Sequence, residues 1–100
     1  MTDSQQKLTK LIDLFIAEKL NADEFCDSYF PAWRYLRDNE DKNIDVTTLD
    51  EKTNKFHAMK DQVFAACDVY TPYPENVYEI DAQGLLSEVT RIYQAYLRSN

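Results

Sequence analysis

One glycine in a chain of 100 residues, Gly84, together with three prolines, leaves few places where the backbone can reverse tightly. Sheet proteins rely on tight hairpins, and hairpins draw on glycine for positive φ, so this chain reads as helices joined by polar turns. The apolar spacing agrees. Leu8, Leu11, Ile12, Phe15 and Ile16 recur at helical period and predict a first amphipathic helix from about Ser4 to Lys19, with a turn at Leu20 and Asn21.

Asn21 followed three residues on by Glu24 is a capping box, in which each side chain satisfies a free backbone N–H of the other's turn. It opens a second helix with Phe25, Tyr29, Ala32, Trp33 and Leu36 on one face. Pro31 falls inside that pattern. It removes one hydrogen bond and crowds the carbonyl of Asp27, at ~3 kcal/mol in a regular helix, so a kink or a break is expected there. Asp38 to Asp45 is charged and predicts a solvated loop.

Thr48 and Glu51 make a second capping box and start a third helix, whose seam is Leu49, Phe56, Met59, Val63, Ala66 and Tyr70. Asp81 caps a fourth, with a stripe of Leu85, Leu86, Val89, Ile92, Tyr93, Tyr96 and Leu97. Gly84 sits in its first turn at a cost of up to ~1 kcal/mol relative to alanine, which implies that another backbone or ring passes close by. The expected fold is all-α: an antiparallel four-helix bundle, one domain over residues 1–100.

Chemistry for turnover is hard to assemble. His57 is the single histidine; its direction leaves the core seam, and it reads as a plain surface residue. Cys26 and Cys67 form no CxxC pair and read as buried free thiols of a reducing compartment. There is no nucleophile elbow, P-loop or dinucleotide glycine pattern. The expectation is a non-enzyme without cofactor or metal. With no apolar run near the ~18 residues of a membrane span and no leader-like start, a cytoplasmic protein is expected.

Charge says more about partners. Eighteen Asp and Glu against eleven Lys and Arg give a net charge of -7. That disfavours direct contact with nucleic acid or an anionic membrane and favours a cationic protein surface. Asp50, Asp61 and Asp68 point within about 20° of one another on the third helix, a stripe ~27 Å long. Taken alone, such a stripe is an ordinary solvated face. It continues, however, into the segment from Asp68 to Leu86, which carries four carboxylates, three tyrosines, two prolines and no Lys or Arg. Large amphipathic rings beside charge are the residue types that anchor protein interfaces. Tyr70 reads as a lid on the core and Tyr73 as exposed; the candidate contact residues are Asp61, Asp68, Tyr73, Glu75, Tyr78 and Glu79.

The same segment carries a family resemblance. Tyr78-Glu79-Ile80-Asp81, Gly84-Leu85 and Glu88-Val89 resemble the opening of the last helix in the colicin D immunity proteins, the bacterial self-protective immunity proteins. Leu11, Leu14-Phe15, Lys19, Ala22 and Glu24-Phe25 are similar to that family's first helix, turn and second helix. The resemblance runs from about Leu8 to Leu97 and is weakest from Pro31 to Lys55. It implies a helical bundle, itself non-catalytic, that binds a cognate basic tRNA-cleaving toxin domain in a 1:1 complex. Asp68 and Glu75 keep the acidic character of the toxin-facing positions, whereas Thr71 and Tyr73 stand where the family pattern can be acidic. Two other classes stay open: an acidic helical adaptor for another basic protein, and a small-molecule-binding bundle with an apolar core cavity.

Overall fold

The computed structural model describes residues 2–39 and 51–99, the side chains of 51 and 52 excepted. Among these residues the chain forms α1 (Asp3–Ile16), α2 (Ala22–Asn39), α3 (Glu51–Asp68) and α4 (Ala82–Ser99). Helix α1 packs on α2 and α4, and α3 packs on α4 and α2, so the four close into an all-α bundle. The pairs Trp33 with Asp61, Phe30 with Phe64, and Asp23 with Tyr70 fall on α2 as they rise past α3, the signature of antiparallel neighbours. The predicted fold class is the one observed.

The core is built from the predicted stripes. Leu8, Ile12 and Phe15 of α1, Phe25, Tyr29, Ala32 and Leu36 of α2, Phe56, Met59, Val63 and Ala66 of α3, and Leu85, Val89, Ile92 and Tyr93 of α4 are all buried. Phe15 stacks on Phe25 at 4.4 Å, and Phe25 leans on Tyr29 at 5.3 Å. Such ring pairs add about 0.5–1.5 kcal/mol beyond the area they bury. The Tyr29 hydroxyl, deep in this core, donates to the Lys60 carbonyl at 2.7 Å and so leaves no bare polar atom there. Cys26 and Cys67 are free thiols, buried as expected. A hydrogen bond between the Cys67 and Cys26 thiols, together with burial, raises the Cys67 pKa far above the ordinary thiol range.

Helix ends follow local chemistry. Asn21 Oδ1 accepts from Glu24 N at 2.8 Å and Glu24 Oε1 accepts from Asn21 N at 3.0 Å, the predicted box. A box of the same kind, Thr2 with Gln5, starts α1. That helix stops at Ile16 rather than Lys19, because Glu18 takes φ 60° and folds the chain back. Glu18 N then donates to Phe15 O at 2.9 Å and Lys19 N to Leu14 O at 2.8 Å, the paired closure of a Schellman motif, with glutamate where glycine is usual.

Several expectations need correction. Helix α2 is not broken at Pro31: it continues to Asn39, so Asp38 is helical and not the start of a loop. Pro31 and Asp27 are both exposed, so the lost hydrogen bond falls on the outer side of α2 rather than in the core. Buried residues on either side, Tyr29 and Leu36 among them, hold the helix to the bundle through the defect. Tyr70 lies beyond α3, which ends at Asp68. Leu97 is 52% exposed, since it points roughly 120° from Leu85, past the edge of the α4 stripe. His57 is half-buried, edge-on to Phe56 at 5.9 Å, and not a plain surface residue. At Gly84 the close neighbour is local: a Cβ there would meet Ile80 Cβ at 3.1 Å and Asp81 Oδ1 at 3.3 Å, not another helix or a ring. Thr48, Leu49 and Asp50 lie outside the described residues, and with them the second predicted capping box and the start of the acidic stripe.

Candidate functional site

The link from α3 to α4 is a closed loop with its own scaffold. At its base Ile80 N donates to Val69 O at 3.0 Å and Thr71 N to Ile80 O at 2.9 Å, an isolated parallel bridge of Tyr70 with Ile80. Ends held this close make residues 71–79 an Ω-type loop rather than a slack connection. Pro72 and Pro74 fix φ and remove two donors that the loop would otherwise have to satisfy. Asn76 closes the tip: its Oδ1 accepts from Tyr78 N at 2.9 Å and its carbonyl from Glu79 N at 3.2 Å, an Asx turn. Glu79 Oε1 accepts from Glu75 N at 2.9 Å across the loop.

Two tethers hold this scaffold to the bundle. The Tyr70 ring packs against the core, as a lid, and its hydroxyl donates to Asp23 Oδ1 on α2 at 2.7 Å. Burial first, then the bond to Asp23, pushes the Tyr70 hydroxyl up to about 12, with Asp27 adding to the negative field. On the other side Asp81 Oδ1 accepts from Gly84 N at 2.8 Å and caps α4, as predicted. Asp81 therefore serves the fold.

The candidate contact residues divide by what their side chains already do. Asp68 and Glu75 are exposed, one at the end of α3 and the other midway round the loop. Tyr73 is 84% and Tyr78 82% exposed. Glu79 is half-buried and occupied in bracing the loop. Asp61 stands apart, about 10 Å back along α3 from Asp68 by helical rise. Its Oδ1 accepts from Trp33 Nε1 at 3.0 Å and from Lys60 Nζ at 2.9 Å. The Lys60 side chain is almost wholly buried there, with Nζ 5.6 Å from the Trp33 ring centre, so Asp61 neutralises a cation at the rim of the core.

Three participants were missed. Val77 is 91% exposed, the barest large hydrophobic residue described, and a lone valine in a polar loop carries no periodic signal in the sequence. Asp23 and Asp27 border the loop root, and nothing in their spacing on α2 shows that Tyr70 comes to them. Among the described residues no group of three or more His, Cys, Asp or Glu could hold a metal ion, and no helix is long and apolar enough to cross a membrane.

A braced, acidic loop that presents rings to solvent is suited to meeting another macromolecule, and comparison with known proteins points the same way. No curated protein matches the chain. A family model described as bacterial self-protective colicin-like immunity matches residues 4–93, nearly the whole bundle with this loop inside it. On that match, the chain belongs to the bacterial self-protective colicin-like immunity family.

Proposed function

We propose that the protein is the immunity partner of a colicin D-like, tRNA-cleaving toxin, which it holds inactive in the producer's cytoplasm as a 1:1 complex. It acts as a single-domain inhibitor and not as an enzyme. The observation that carries this reading is the α3–α4 loop of a colicin-like immunity chain: Asp68 and Glu75 exposed, with Tyr73 and Tyr78 beside them on a braced backbone.

The chemistry follows from the toxin's substrate. An enzyme that cleaves RNA needs a cationic cleft, and carboxylates placed where phosphates would lie fill it without offering a bond to break. Asp68 and Glu75 serve as the free charges. Tyr73 and Tyr78 supply contact area at low entropic cost, because two χ angles fix each ring. Asp61 and Glu79 extend the acidic surface while keeping their internal bonds. A loop ordered in advance loses little freedom on binding. The overall charge of -7 draws a cationic partner in, with association up to ~10⁸ to 10⁹ M⁻¹s⁻¹ at low salt.

The test is to express the cognate toxin domain, with and without this protein, and to follow tRNA integrity. Protection of tRNA by the wild-type chain is expected. Cleavage that proceeds unchanged would overturn the reading, and tight binding to a basic protein other than a nuclease would favour an adaptor.

A further inference from the structure

Acidity alone does not account for the tip of the loop. Val77, Tyr73 and Tyr78 are 91%, 84% and 82% exposed. Scattered single apolar residues on a surface are ordinary, but three large ones on residues 71–79 are not scattered. Nor is the tip slack. Tyr78 N is held by Asn76 Oδ1, Glu79 N by the Asn76 carbonyl, and Glu75 N by Glu79 Oε1, so Val77 and the Tyr78 ring sit on a turn whose flanks are both tied. The loop exposes apolar surface where its backbone is most constrained.

We infer that Val77 and Tyr78 form a knob that inserts into an apolar recess on the toxin domain, rimmed by Lys and Arg, and that this knob sets how long and to which toxin the protein stays bound. The inference rests on the proposed inhibitor function and deepens it. Its occupant is argued from charge: the segment from Asp68 to Leu86 has four carboxylates and no Lys or Arg, so the surface around the knob is matched to a cationic rim. A second copy of this chain would bring like charges together and is disfavoured on the same ground. Labour is then divided. The carboxylates act at a distance and govern the association rate, whereas the knob acts only in contact and governs dissociation.

The experiment measures association and dissociation rates of the full-length protein with the purified toxin domain. The variants are Val77→Ser with Tyr78→Ala, Asp68→Lys, and Leu97→Ser, an exposed apolar residue on the far part of α4, with folding checked by thermal melting. The knob double variant should dissociate at least ~30-fold faster, the scale of a hot-spot pair, with its association rate within about threefold of wild type. Asp68→Lys should chiefly slow association, and Leu97→Ser should change neither rate. If the double variant dissociates as slowly as wild type while Asp68→Lys binds poorly, the knob is overturned and the inhibitor reading stands. If it slows association instead, the division of labour is overturned. If the wild-type protein does not bind the toxin domain, the inhibitor reading falls and the knob falls with it.

Discussion

The Tyr70 hydroxyl lies 2.7 Å from Asp23 Oδ1, a bond between residues 47 apart in sequence that ties the root of the loop to α2. Tyr70→Phe keeps the ring and removes the bond, so it should destabilise by about 1 kcal/mol. The pH dependence has a definite sign. The folded-state pKa of Tyr70 is raised to about 12 from an ordinary 10, by burial and then by Asp23. Its contribution is thus fully present below pH 10 and is lost as pH climbs toward 12. Tyr93, raised to about 12 by burial and by Asp13, titrates in the same window. Denaturant titrations at pH 8 and pH 11.5 should show the wild-type advantage over Tyr70→Phe shrinking; an advantage that grows with pH would mean the hydroxyl is not the donor.

Glu18 at φ 60° predicts a stabilising substitution. Left-handed backbone costs a residue with a Cβ about 1–2 kcal/mol, more than the entropy that glycine gives up. Glu18→Gly should therefore raise stability by about 0.5–1 kcal/mol, several degrees in melting temperature for a chain this size. A lower melting temperature would contradict the Schellman closure after α1.

Core truncations should separate from surface ones. Phe15→Ala and Phe56→Ala remove rings that are 4% exposed and should cost about 3–5 kcal/mol through the cavity left behind. Trp33 stacks on Phe64 at 4.1 Å but is only half-buried, and Leu86 is likewise at the edge, so alanine there should cost less, roughly 2–3 kcal/mol. Leu97→Ala should stay within about 0.5 kcal/mol. Urea unfolding of the five variants decides the order.

Association with the toxin domain should depend on salt. Screening cuts the reach of the field to about 3 Å at 1 M, so the association rate should fall at least ~10-fold from low to high salt. A rate that ignores salt would mean that apolar contact alone brings the partners together.

What was legible in the sequence was local. Asn21 with Glu24 and Asp81 with Gly84 each pair residues three apart, so residue type and spacing suffice to predict them. Thr2 with Gln5 has the same spacing, but the apolar stripe of α1 begins only at Leu8, so no hydrophobic run marks that box in the sequence. Pro31 shows the other limit: its cost is visible in the sequence, but the burial that lets α2 run on past it belongs to the packed bundle. The burial of Lys60 depends on α2 bringing Trp33 against it, a contact across helices that its place in the sequence does not show. The bareness of Val77 depends on an Asx turn and on a bridge between residues ten apart, and neither leaves a periodic trace.

The central claim is that the α3–α4 loop carries recognition, and the most direct measurement compares dissociation constants for Asp68→Lys, Glu75→Lys and Glu18→Lys against the purified toxin domain. Circular dichroism shows whether each variant is folded. Either loop reversal removes an attraction and sets like charges face to face, so each should weaken binding at least about a hundredfold. Glu18→Lys, at the end of α1, should leave the constant nearly unchanged. If Glu18→Lys weakens binding more than both loop variants, the recognition face lies on α1 and the account is wrong where it matters most.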